Sequence, residues 1–159
     1  MLSFRKIILS ALFITSACGF SPLYNYQNST KLAEKISIQE PNTQNEFVFY
    51  SQLTNRFNEG NGKYIVNYAI TTSKKDSGLN FDGTAHRVEV FGSVSFRMTD
   101  KETGIEVLSD KEDVYLSFSN FGSTAAVLNA ERITVEQLVI LLADKVADKI
   151  SLIIAEKNS

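Results

Sequence analysis

Polar and apolar positions along this chain follow two rhythms. Between residues 34 and 119 apolar side chains mostly alternate with polar ones, and after Ser123 they recur every three or four residues. Alternation marks half-buried strands, and the longer period marks a helix with one apolar face. Residues 34–40 place Ile36 and Ile38 in alternation before Pro41 stops the strand. Thr43-Gln44-Asn45-Glu46 then fits a capping box, and Phe49, Tyr50, Leu53 and Phe57 line one helical face. Asn58-Glu59-Gly60-Asn61-Gly62 ends that helix, with Gly60 or Gly62 as its left-handed cap.

Three longer strands follow. The first, 63–73, alternates Tyr64, Val66, Tyr68 and Ile70 against Ile65, Asn67, Ala69 and Thr71. The second, 86–99, sets Val88, Val90, Val94, Phe96 and Met98 on one face and Arg87, Glu89, Ser93, Ser95 and Arg97 on the other. The third, 105–119, keeps Leu108, Val114, Leu116 and Phe118 in phase around a charged middle, 109–113. That middle fits an edge, a bulge or a strand break. Residues 99–104 read as a tight hairpin with Gly104 at positive φ, and 74–83 as a longer loop with Lys74 and Lys75 at its tip. Val135, Leu138, Val139, Leu142, Val146, Ile150 and Ile153 form the closing helical stripe. The helix starts either at Ser123 or at Thr134, where Thr134 to Gln137 offers a second capping box. The order is β-α-β-β-β-α. The fold class is therefore α+β: a two-layer sandwich, with a mostly antiparallel four-stranded sheet carrying two helices on one face. The face with Arg87, Ser93, Ser95 and Arg97 is left for solvent or a partner.

The first residues follow neither rhythm. Arg5 and Lys6 precede the apolar run Ile7 to Ile14, then come Thr15-Ser16-Ala17 and the single cysteine, Cys18. This is a secretory signal layout, too short for a spanning helix, which needs ~20 apolar residues. An ordinary cleavage site would leave Cys18 as a free thiol. A bacterial lipobox would make it a diacylated N-terminus; Ser16, Ala17 and Cys18 match that pattern, and Thr15 stands where Leu is usual. Acylation is the favoured reading, because an unpaired thiol is a liability in an oxidising compartment. Each buried CH₂ of the acyl chains adds ~0.8 kcal/mol to membrane anchoring. Gly19, where inner-membrane lipoproteins carry Asp, points to the outer membrane. Residues 1–17 are then a cleaved signal, 18–33 a lipidated tether, and 34–159 one domain.

Composition narrows the chemistry. The net charge is −2, and removing Arg5 and Lys6 leaves the mature chain near −4. An acidic domain is a poor partner for nucleic acid, whose binding needs a basic surface. One His (His86) and one committed Cys give little to build a metal site or a nucleophilic pair. No phosphate-binding or nucleophile-elbow motif is present. The chain reads as a non-enzyme. Lys74, Lys75, Arg87 and Arg97 are candidate contacts for an anionic lipid headgroup, set against an ordinary charged surface in which Glu89 neutralises both arginines.

Cys18-Gly19-Phe20-Ser21-Pro22-Leu23-Tyr24 resembles the C-G-F-x-P-L-Y start of the LPS-assembly lipoproteins, in particular the alphaproteobacterial ones. The segment 51–57, the hairpin residues Thr99, Asp100, Thr103 and Gly104, and the stretch 118–132 also resemble that family. The resemblance implies a sheet with two helices on one face. It also implies a lipoprotein, acylated at Cys18, on the periplasmic side of the outer membrane. Such a protein sits inside a large LPS-assembly β-barrel, supports the assembly of that barrel and contacts LPS in its transport to the cell surface. No cofactor is implied beyond the diacylglycerol and N-acyl chain on Cys18. Two other readings stay open: a periplasm-facing lipid carrier with an internal cavity, and an assembly factor for a different outer-membrane complex.

Overall fold

A computed structural model describes residues 36–57, 60, 62–79, 81 and 85–157. The expected signal, tether and Cys18 lie outside the described residues. Six elements follow one another: β1 (Ile36–Ile38), α1 (Gln44–Phe57), β2 (Tyr64–Leu79), β3 (Ala85–Asp100), β4 (Glu106–Ser119) and α2 (Thr124–Lys157). The sheet runs β1-β2-β3-β4, with β1 parallel to β2 and the other pairs antiparallel. The expected α+β sandwich is the fold observed, and β1 makes its sheet mixed.

The core lies between the sheet and the two helices. Val66, Val90, Val94, Phe96 and Met98 from the strands meet Phe49 and Leu53 of α1 and Leu138, Leu142, Val146 and Ile150 of α2; nearly all are fully buried. Gly92 is the one break in the apolar row of β3, and α2 explains it. A Cβ on Gly92 would overlap the Leu138 δ-methyl and lie 3.1 Å from that of Leu142. The missing side chain lets the helix settle onto the strand.

Local signals account for the element ends. The Thr43 hydroxyl accepts from the Glu46 N–H at 3.2 Å, while the Glu46 carboxylate accepts from the Asn42 N–H at 2.7 Å. The capping box forms with its return arm one residue earlier than the standard pattern. In the β3–β4 hairpin the Asp100 carboxylate accepts from the Glu102 and Thr103 N–H groups, and Gly104 takes φ 69°. The Thr103 N–H, first among several donors, holds the Asp100 carboxyl below the usual carboxylate range. Helix α2 starts at Thr124, where the Ser123 hydroxyl accepts from the Ala126 N–H at 3.3 Å. The alternative start at Thr134 is not used: that residue is buried in mid-helix, and its hydroxyl donates to the Ala130 carbonyl at 2.7 Å.

One expectation changes and one open reading is decided. Residues 74–79 are strand rather than loop, with Lys74, Lys75 and Asp76 opposite Val90, Glu89 and Val88. Helix α1 begins level with Tyr68, whose phenol donates to the Glu46 carbonyl at 3.4 Å. Beyond that level α1 no longer covers β2, so polar side chains continue the strand at no desolvation cost. The charged middle of β4 is an edge, not a break: Asp110 and Glu112 point to the helix side, where Lys145 and Lys149 of α2 pair with them. On the other flank of α2, Arg56 pairs with Asp144 and Asp148, and the Gln52 amide donates to Asp144 at 3.0 Å. Apolar burial holds the centre of the helix layer, and charge closes both of its sides.

Candidate functional site

Strand alternation gives the sheet a second face that no described element covers. Each inward Val or Phe of β3 has outward neighbours, and register aligns these across three strands. Thr71, Ser93 and Asp113 share one rung; Ala69, Ser95 and Lys111 the next; Asn67, Arg97 and Ser109 a third. Four of these nine side chains are short and hydroxylated, and none is aromatic. The exception on the face is a central pair, Phe91 and Tyr115, directly opposite each other. Their ring centroids lie 6.1 Å apart at an interplanar angle of 30°. Phe91 is 39% and Tyr115 is 70% exposed, so neither belongs to the core.

Short side chains beside aromatic ones leave hollows. One of about 280 Å³ lies against the pair and is lined by Thr71, Ser73, Phe91, Ser93, Asp113 and Tyr115. A wider one of about 680 Å³ follows along the strands at Asn67, Ala69, Ser95, Arg97, Ser109 and Lys111. Two charges on the face are matched by close neighbours. Arg97 pairs with Glu106 at 2.7 Å and Lys111 with Asp113 at 3.2 Å. The Ser93 hydroxyl, ahead of Lys111, holds the Asp113 carboxyl below its ordinary value.

The four candidate basic residues do not converge. Lys74 and Lys75 lie within β2, not at a loop tip, and parity sends them to opposite faces. Lys74 turns to the helix side and pairs with Glu131 of α2 at 2.6 Å. Lys75, Arg87 and Arg97 are on the open face, but Arg87 and Arg97 are ten residues apart along β3, ~33 Å at ~3.3 Å per residue. Glu89 sits opposite Lys75, and Arg97 takes Glu106 instead, so one carboxylate does not serve both arginines. No single anion can bridge this set. His86 is exposed at the start of β3, its ring over Gly78, where a Cβ would come within 2.7 Å of Nε2.

Phe91 and Tyr115 are the site residues that sequence reasoning missed. The signal was there: Phe91 is the only aromatic in the polar phase of 86–99, between Glu89 and Ser93. No helix among the described residues is long and apolar enough to cross a membrane.

No family model matches the chain, and no curated protein matches it in sequence. Solved structures do match in fold. Rare lipoprotein B from Shewanella oneidensis superposes with a TM-score of 0.62 at 11% identity, over 79% of this chain and 98% of that one. A Caulobacter crescentus protein provisionally designated a lipoprotein gives 0.64 at 19% identity, over 82% and 97%. The uncharacterized lipoprotein B of Nitrosomonas europaea gives 0.62 at 12%, over 77% and 84%. At these identities the likeness establishes one thing: the chain has the fold of these bacterial lipoproteins.

Proposed function

We propose that this chain is an outer-membrane lipoprotein of the LPS-assembly type, anchored through acylated Cys18. It plugs, stabilises and helps assemble a β-barrel that delivers LPS to the cell surface, and contacts LPS as it does so. The observation that carries the reading is the fold. The β-α-β-β-β-α sandwich is shared with rare lipoprotein B over nearly all of that chain. The Cys18-Gly19-Phe20-Ser21-Pro22-Leu23-Tyr24 start supports the same family independently. A carrier enclosing lipid between helices and sheet has less support, because that space is filled by fully buried side chains, close enough that Gly92 has no room for a methyl group. In this reading the protein acts by contact, without catalysis. Lys75 and Arg87, at the far end of the open face from Arg97, are the basic residues best placed to reach an LPS phosphate.

Mild solubilisation of membranes from the native host tests this. The chain is expected to co-purify with a large β-barrel of the LPS-assembly class; migration alone at monomer mass overturns the reading. Mass spectrometry of the mature N-terminus tests the anchor: a triacylated Cys18 is expected, and a free thiol or cleavage elsewhere overturns it.

A further inference from the structure

We infer that the open face of the sheet, centred on Phe91 and Tyr115, is the surface that lies against the polar inner wall of the β-barrel partner. The inference rests on the proposed function and adds to it which face makes the contact.

Three observations on the face carry it. The first is its chemistry. Thr71, Ser73, Ser93, Ser95, Ser109 and Ser117 point outward from adjacent strands. Hydroxyls both donate and accept, so such a surface can satisfy either kind of group on a facing wall. The lumen-facing side of a membrane β-barrel is itself polar, because only alternate residues meet lipid. An apolar partner, or a second copy of this chain in an obligate dimer, would call for a more hydrophobic face.

The second observation is charge. Arg97–Glu106 and Lys111–Asp113 neutralise one another within the face. With Lys75, Glu89 and Arg87 at the other end, the formal charge of the face is only about +1, too small a field to demand a highly charged ligand. The third is size and relief. Three strands at ~4.8 Å spacing and ~50 Å of length offer roughly 700 Å², close to one partner's share of a stable interface. Hollows of about 280 and 680 Å³ interrupt that surface beside a raised aromatic pair. A central aromatic anchor with recesses around it is the usual anatomy of an interface whose energy is concentrated in a few residues. The helix side has a hollow of about 350 Å³ between α1 and α2, at Val48, Leu128 and Val135, but no exposed aromatic pair among its described residues, and α2 turns single residues such as Gln137 and Leu141 outward.

Site-specific photocrosslinking in the native host tests the inference on the full-length chain. A benzophenone amino acid replaces Ser95 or Ser109 on the open face, and Gln137 or Leu141 on α2. The first two positions are expected to crosslink to the LPS-assembly barrel at residues whose side chains face its lumen, at several times the yield of the α2 positions. Retention of the barrel by the Phe91→Ala/Tyr115→Ala double variant, whose side chains lie outside the core, should fall about tenfold relative to wild type. Equal or higher barrel capture from α2 overturns the inference, as do open-face crosslinks to a glycolipid or to a second copy of this chain. If the wild-type chain brings down no barrel at all, the proposed function itself fails and this assignment falls with it.

Discussion

The two faces of this sheet are built from the same strands and obey opposite rules. On β3, Val88, Val90, Val94, Phe96 and Met98 turn inward and are almost completely buried. Between them Arg87, Glu89, Ser93, Ser95 and Arg97 turn outward. The inner face is sealed by volume: side chains meet those of α1 and α2 with no slack, and at Gly92 strand and helix come too close for a Cβ. The outer face is open by composition, since small hydroxylated side chains lose little by staying hydrated. The contrast teaches where each property resides. Stability belongs to the covered face, and the proposed contact with a partner to the face that folding leaves unused. A residue moved by one position along β3 therefore changes role completely.

That contrast can be broken most directly at neighbouring positions of β3. Gly92→Val drives a branched side chain into Leu138 and Leu142, and overpacking of this kind should cost about 3 kcal/mol or more. Leu142→Ala, which leaves a cavity at the same spot, should cost a similar ~3 kcal/mol. Ser95→Val, three residues along and exposed, should stay within ~0.5 kcal/mol of wild type. Urea unfolding followed by circular dichroism reads all three. A Ser95→Val loss as large as that of Gly92→Val would mean that the outer face is also packed, and would remove the basis for treating it as open.

Acid sharpens the comparison differently, because both faces carry carboxylates held below their ordinary values. On the covered side, Lys149 first and Lys145 next lower the Glu112 carboxyl, and Lys149 lowers that of Asp110. On the open side Ser93 and Lys111 lower Asp113. A carboxyl depressed in the fold binds its proton more weakly there than in the unfolded chain. Its contribution is complete above the unfolded value, about 4, and is lost as pH falls through the folded value. The melting temperature should be nearly flat from neutral pH to about pH 5 and fall below about pH 4. The double variant Asp110→Asn/Glu112→Gln should lower the neutral-pH melting temperature and flatten the acid limb, whereas Asp113→Asn should change both much less. A melting temperature that rises on acidification would contradict the assignment of these pairs.

Much of this architecture was legible beforehand, and the exceptions share one cause. Ile36 and Ile38, the Thr43–Glu46 cap, the Gly104 hairpin and the α2 stripe all announce themselves, because each is a local pattern with a local physical reason. The end of β2 did not. Residues 74–79 look like a loop because they lack an apolar phase, yet an uncovered strand needs none: its backbone pairs with β3 whatever its side chains are. Lys74 and Lys75 were misjudged for the same reason, since a loop has no parity to send them to opposite faces. Gly92 read as a gap in a row of valines, and its meaning needs the partner helix. Of the candidate site, alternation correctly put Arg87 and Arg97 on the open face. Their separation was not visible until strand length and register were known, and Phe91 passed unnoticed because its neighbours defined the face as charged.

The smallest effect expected asks how the helix layer divides the covered face. Helix α1 spans 14 residues and its first turn lies level with Tyr68, while α2 runs 34 residues along β3 and β4. The first turns of the two helices should therefore differ in value. Thr43 caps a turn whose Glu46 carbonyl takes the Tyr68 phenol, and burial pushes that phenol up to about 12. Ser123 caps a turn whose residues 124–126 are all exposed. Losing an N-cap costs ~1 kcal/mol when the turn it orders is packed. It costs only a few tenths when that turn can fray into solvent and the helix is held by its buried stripe further on. Thr43→Ala should therefore destabilise by ~1 kcal/mol and Ser123→Ala by less than half of that. Amide exchange should show α1 opening with the global transition in wild type and sub-globally in Thr43→Ala. The reverse ranking of the two variants would place the tighter half of the covered face under the N-terminal turns of α2, away from the sandwiched end.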